Sequence, residues 1–448
     1  MNHCLSIFLG LIVLACPSMS RSDVFGDSPS QASPAGTRYR VSTVTETGMP
    51  KTIVKRGASW NFGPGALQTY LGWQYAAFWD ANRQVSVARR ELPQGDWQCV
   101  SLSGYQRTSD TNRGKGGPIA RGFGDGHEKV AMGISSDGVI HLAFDHHVST
   151  LHYRCSRRGL ANKPAGFTWS DDMFGAVQDN LGGPSIASVT YPNFVRDGDR
   201  MSLYLRLNGG SGNADSHFFE YQAGRWVVND AGSSKLIDKH WSGGNGTVNA
   251  YPHTMVVHEG RRHLTWCWRD TPDARTCHDL CYAYSDDHGR MWKNNAGETI
   301  AERGSKHITA DSPGIVVLEI PPGSTYTNGG SMTVDDTGGI HILMRGPNGR
   351  ALTAQRNIQT GDWNRGEGLT LGELVAVPRQ LLVVAESGLY RASNAGHGTL
   401  TRLDGPIESW CKDSRFVVDR SRWQHGQTIS VIGQNGTVVS VIDFSIED

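Results

Sequence analysis

The 448-residue sequence predicts an all-β fold, a single closed β-propeller of seven blades. Three observations carry that expectation. Glycine is abundant at 55 residues and tryptophan reaches 13, a composition of tight turns and aromatic strands. Helical periodicity is missing from almost every stretch, while short alternating runs recur. Above all, one pattern repeats along the chain. A small or apolar strand leads to a turn with Asp or Gly, a β-branched strand follows, and a third strand ends in Tyr or Arg.

The clearest copy runs from Val130 to His147 and continues into Leu151-His152-Tyr153-Arg154. A second runs from Ser331 to Arg345. Asp137-Gly138 and Gly338-Gly339 mark their hairpin turns, with alternating flanks. Looser copies begin near Trp73, Tyr191, Tyr251, Val375 and Arg415. Units of roughly 45–60 residues suit a four-stranded blade. Ser285-Asp286-Asp287-His288-Gly289-Arg290-Met291-Trp292 fits the pattern S-x-D-x-G-x-x-W. In that β-turn the Asp accepts backbone hydrogen bonds and the Trp packs between blades, so its reading is structural. The competing architecture is a pair of β-sandwiches built from the same short strands.

Residues 1–20 read as an export signal. The apolar run Leu5–Ala15 is too short to span a membrane, and Ser18-Met19-Ser20 offers small residues for cleavage. Val13-Leu14-Ala15-Cys16 approaches a lipoprotein box, but Leu14 is larger than that position usually takes, so plain secretion is preferred. Residues 21–50, beginning with a Ser-, Pro- and Ala-rich stretch, are expected to form a disordered leader, and 51–448 the single propeller domain. The 43 basic and 43 acidic residues cancel, which argues against a nucleic-acid partner. An anionic partner must then meet a local cluster of Arg, Lys and His.

A propeller gathers side chains from successive inner strands around its channel, so functional residues should lie far apart in sequence. Four segments fit. They are Gly124-Asp125-Gly126-His127, Asp145-His146-His147, Thr190-Tyr191-Pro192-Asn193-Phe194, and Leu203 to Asn213 with Arg206 inside it. Tyr251-Pro252-His253 repeats the Tyr-Pro pairing one blade later. Singly, each reads as an ordinary rim, core or ion-pair residue. Together they place His, Tyr and Arg in neighbouring blades with no evident Glu pair. That set suits proton abstraction alpha to a uronic acid carboxylate. A cation neutralises the carboxylate, a base takes the C5 proton, and an acid protonates the leaving oxygen at C4. Tyr and His serve if neighbouring cations lower their pKa values.

The strings GHEKVAMGISSDGVIHLAFDHH, TYPNF, LYLRLNGGSGN and CHDLCYAYSDDHGRMW resemble the BNR-repeat polysaccharide lyases, whose best-known members are seven-bladed ulvan lyases. The resemblance covers roughly residues 55–445, with the motifs in order. It implies β-elimination in a sulfated rhamnose–uronate polymer. Carried over motif by motif, it implies His127, Tyr191 and His147 as the catalytic group. Arg206 matches a carboxylate-neutralising arginine, Tyr251 a substrate contact, and His146 a residue binding or backing the substrate. Tyr191 is then expected to act as base and acid, with His127 beside it, although one of the transfers can equally fall to His127. Lys115, Arg121 or Arg269 are candidates for sulfate contacts.

Two of the eight cysteines lie in the signal, and Cys267, Cys277 and Cys281 cluster around one loop. Three thiolates with one imidazole would form a closed tetrahedral zinc site, and the resemblance implies such a structural zinc. His397 is the preferred fourth ligand, with His278 and Cys411 as alternatives. A disulfide within the trio is the competing reading for an exported protein. Two other functions compete with elimination. A sialidase-like hydrolase would need a Glu beside a Tyr, and a carbohydrate-binding propeller would leave the His–Tyr–Arg grouping without a purpose.

Overall fold

The computed structural model describes residues 31–32, 38–50, 52–53, 65–107, 127, 129–227, 234–253, 255–324, 329–346, 351–367, 370–393, 400–403, 405, 407 and 416–446. The fold is all-β, and among the described residues the only helical turns are short 3-10 segments such as Ala274–Thr276. Among them, too, no helix is long and apolar enough to cross a membrane.

Antiparallel meanders follow one another in chain order. One runs from Leu67–Tyr70 to Gln98–Ser101, the next from Val130–Ile134 to Tyr153–Cys155. Then come Val189–Asp197 to Arg225–Val227 and Asn249–Pro252 to Met291–Lys293, joined by one parallel bridge between Ala214 and Asn249. Gly330–Val334 to Trp363–Glu367 and Glu373–Val377 to Leu400–Arg402 are four-stranded sheets. The last sheet holds Val417–Asp419, Thr428–Asn435 and Val438–Ser445.

The apolar cores show how these sheets close on one another. Each cluster draws residues from neighbours in the ring. Trp79 and Phe144 join the first sheet to the second, and Ala143 and Leu203 join the second to the third. Phe218, Trp266 and Met332 span the next three sheets. Leu343 meets Leu381, Leu382 meets Val431, and Val441 meets Phe78, which returns to the start. Both faces of most strands are therefore buried, as stacked blades require.

The closing strand corrects the expected leader. Arg38–Thr45 pairs antiparallel with Val438–Ser445, from Arg38 against Ser445 to Thr45 against Val439. Val44 is buried and Val41 packs on the adjoining core. The last sheet thus takes its closing strand from before residue 51, with Gln31–Ala32 paired outside it, because the edge of Val438–Ser445 is filled by this segment. Residues 1–30 lie outside the described residues.

The S-x-D-x-G-x-x-W turn behaves as its pattern implies. Asp287 Oδ1 accepts from the Arg290 and Met291 amides at 3.1 and 2.9 Å, and Trp292 is buried against Phe218 of the preceding sheet.

Candidate active site

The first strand of each meander starts on the same face where its second strand ends. That geometry brings distant residues together. His127 precedes Val130–Ile134, Tyr191 lies near the start of Val189–Asp197, and Tyr251 lies in Asn249–Pro252. Arg206 pairs with Thr190 across the ladder, and Tyr251 pairs with Cys267, two residues before Arg269. Three successive sheets contribute.

His127 Nε2 is 3.0 Å from the Tyr191 hydroxyl. The His147 ring stacks on His127 with centroids 4.0 Å apart and planes 27° apart. The Arg206 guanidinium lies 4.7 Å above the Tyr191 ring centroid. Arg206 Nη1 and Arg269 Nη1 donate to the Tyr251 hydroxyl at 3.3 and 3.4 Å, and Ser211 Oγ lies 2.7 Å from the same oxygen. Sequence reasoning passed over Ser211, although it sits in the same Gly-rich string as Arg206. Gly209 permits that hairpin tip: its φ is +148°, and a Cβ there would lie 1.8 Å from the Asn213 carbonyl oxygen.

Backbone strain collects here. Tyr191 has φ +60°, inside a register shift between Thr190 and Asn193. Asp145, Val148, Ser188 and Asn208 also have positive φ. Such a conformation is uncommon for non-glycine residues and is an outlier for a β-branched one, and its clustering marks a site that the surrounding fold over-determines.

The electrostatics differ from the sequence expectation in one respect. Burial pushes the Tyr191 phenol well above its ordinary value, and the neighbouring Tyr251 adds to the rise. Arg206 and Arg269 pull the other way without overcoming it. Tyr191 therefore rests as a neutral phenol within hydrogen-bond distance of His127 Nε2.

Burial also re-sorts the expected substrate contacts. Arg206 and Tyr251 are each only 1% exposed, and Tyr191 beside them is 4% exposed. His146 is fully buried, its Nε2 accepts from the His152 amide at 2.8 Å, and burial holds its pKa well below the ordinary value. The left-handed residues Asp145 and Val148 flank the pair, and His146 lies in the core while His147 is partly exposed. His127, His147, Ser211 and Arg269 are the half-exposed members. Lys115 and Arg121 lie outside the described residues.

The cysteine loop does not fit the expected donor set. Cys277 pairs with Arg269 and Cys281 with Trp266, with Asp279 bulged between them at φ +52°. Directly opposed residues share a face, so Cys267 and Cys277 lie on one face of the hairpin and Cys281 on the other. His278 is held by Asp270 and Asp279 at 3.0 Å on each ring nitrogen, which leaves neither for a metal. Among the described residues no group of three His, Cys, Asp or Glu side chains is arranged to hold a metal ion. His397 and Cys411 lie outside the described residues.

Comparison with solved structures places this arrangement in a known fold. An ulvan lyase from a new family of polysaccharide lyase superposes with a TM-score of 0.65 at 13% identity, over 89% of this chain and 94% of that one. The same lyase bound to -[GlcA(1-4)Rha3S]- gives 0.64 at 13% identity, with the same coverage of both chains. No curated protein matches the chain. The model of the BNR repeat-containing family matches residues 73–368. With a polysaccharide-lyase-like propeller and a family match over most of its length, the chain belongs to the BNR repeat-containing family.

Proposed function

We propose that the protein is a lyase that cuts a sulfated rhamnose–uronate polymer of the ulvan type by β-elimination. One observation carries the reading: a His127–Tyr191 hydrogen bond, with His147 stacked on His127 and a guanidinium over the Tyr191 ring. The set offers a relay for one proton and positive charge around it, and among the described residues no paired carboxylate for hydrolysis stands beside it.

The steps follow from the resting state. His127 draws the phenolic proton, and the Arg206 charge stabilises the phenolate that forms. Tyr191 takes the C5 proton while half-exposed His147 meets the uronate carboxylate. The C5–H electrons form the C4–C5 double bond, the C4–O4 bond breaks, and Tyr191 returns the proton to O4. His127 then re-protonates the phenolate, so the pair ends as it began. A single phenol on one face suits syn elimination. An export signal over residues 1–20 suits a polymer too large to enter a cell. The sialidase-type alternative finds less support, since Glu220 is committed to Arg262 and Arg303.

The test is product chemistry on ulvan and other uronate polymers. Absorbance from an unsaturated uronyl end supports elimination. New reducing ends without it indicate hydrolysis, and binding without either indicates a carbohydrate-binding propeller.

A further inference from the structure

Asp145 stands two residues from His147 and has no part in the proton transfers above. Its surroundings are nevertheless heavily built. The Tyr105 hydroxyl donates to Oδ2 at 2.5 Å, and Arg107 Nε lies 3.5 Å from Oδ1. The side chains of Asp145 and Arg107 are only 5% and 6% exposed, so the ion pair is shielded from water. Both partners come from the segment that follows Gln98–Ser101 in the neighbouring sheet.

The backbone of Asp145 reaches both histidines. Its amide donates to the Lys129 carbonyl at 3.3 Å, and the Lys129 amide donates to the His127 carbonyl at 3.0 Å. Its own carbonyl accepts from Ser149 Oγ at 3.0 Å. Asp145 and Val148 bracket His146-His147 with φ of +62° and +59°, and Thr190 Oγ1 accepts from the Val148 amide at 2.9 Å. Aspartate tolerates the left-handed region better than most residues, so the side chain adds an anchor where the turn needs that backbone.

We propose that Asp145, clamped by Tyr105 and Arg107, is a positioning residue that fixes the His127–His147 stack. It touches no substrate. It sets the two imidazoles relative to Tyr191 through a left-handed turn on one side and the Lys129 bridge on the other. The inference rests on the lyase reading for its kinetic consequence, but its geometric content does not.

Three variants test it. Tyr105→Phe removes one tie, Asp145→Gly keeps the backbone permissive and cuts both, and Arg107→Lys retains the charge. Misplacing a reacting group by about an ångström costs up to about a hundredfold in rate. The expected result is a fall in kcat of about tenfold for Tyr105→Phe and about a hundredfold for Asp145→Gly. KM should stay within about twofold, the kcat pH profile should move, and Arg107→Lys should stay near wild type. In parallel, NMR titration of the His127 and His147 rings should give altered curves in Tyr105→Phe, whether or not the protein turns over a polymer. If wild type makes no unsaturated product, the lyase reading fails while the titration still decides the positioning role. Unchanged kcat, pH profile and ring titrations in folded Tyr105→Phe and Asp145→Gly, with only Tm lowered, overturn the inference.

Discussion

At the scale of single residues, Arg206 shows how burial changes a role. The sequence marks it as the arginine for a substrate carboxylate, and the motif around it does place it beside Tyr191. Yet it is 1% exposed, one of its nitrogens is spent on Tyr251, and its Nε has no hydrogen-bond partner among the described residues. In the proposed mechanism this buried guanidinium, held against two phenols, acts through them. Arg206→Gln should therefore lower kcat by about tenfold and leave KM within about twofold, since the lost interaction is with charge on Tyr191 in the transition state. A raised KM at unchanged kcat would instead place Arg206 in direct contact with the polymer. His127, Tyr191 and His147, which the fold brings together, stand out in the sequence because each sits in a short motif beside Gly, Pro or another His. The distinction between His146 and His147 was not derivable from alternation, because Asp145 and Val148 leave extended conformation on either side of the pair. Tyr105 and Arg107 carried no signal, since their tie to Asp145 joins two sheets.

At the scale of elements, one ion network joins the third meander to the fourth. Arg262 binds Asp197 at 2.7 Å and Glu220 at 2.8 Å, and Arg303 adds a second cation on Glu220 at 2.8 Å. His288, from the S-x-D-x-G-x-x-W turn, lies 2.9 Å from Asp197. Burial pushes both carboxyls up, but hydrogen bonds and charge from these cations outweigh it, so both end below their ordinary values. A depressed folded pKa contributes stability above the unfolded value and loses it as pH falls through the folded one. Tm should accordingly drop as pH falls below about 4.5, the ordinary Glu value. Glu220→Gln should lower Tm at neutral pH and flatten that acid dependence, because removing one partner leaves a buried cation under-compensated. Thermal melts of both proteins from neutral to acidic pH measure it, and parallel curves would remove the network from the account. The repeat pattern made these strands legible, whereas ion pairs between residues 42 and 65 apart in sequence had no local signature.

At the scale of the whole molecule, ring closure depends on a strand from the opposite end of the chain. Arg38–Thr45 follows a Ser-, Pro- and Ala-rich stretch and carries no local mark of its partner, Val438–Ser445, which lies about 400 residues away. Removing residues 1–46 exposes the edge of the last sheet and the core around Val441, and should lower Tm by about 5 °C or more. Removing only residues 1–30 should leave Tm within about 1 °C, and equal losses from both truncations would refute the closing role. The propeller class was legible because each blade repeats the same local pattern. Closure is a non-local property that no single repeat records. The ring in turn makes the site: His127, Tyr191 and Tyr251 meet only because successive sheets present the same strand ends to one face.

The most direct test of elimination at that face compares wild type with Tyr191→Phe on ulvan, following absorbance of the unsaturated uronyl end. The account predicts a steady rise for wild type and a rate about a thousandfold lower for the variant, with its fold intact. Near-normal turnover by Tyr191→Phe, or reducing ends without absorbance in wild type, would contradict it.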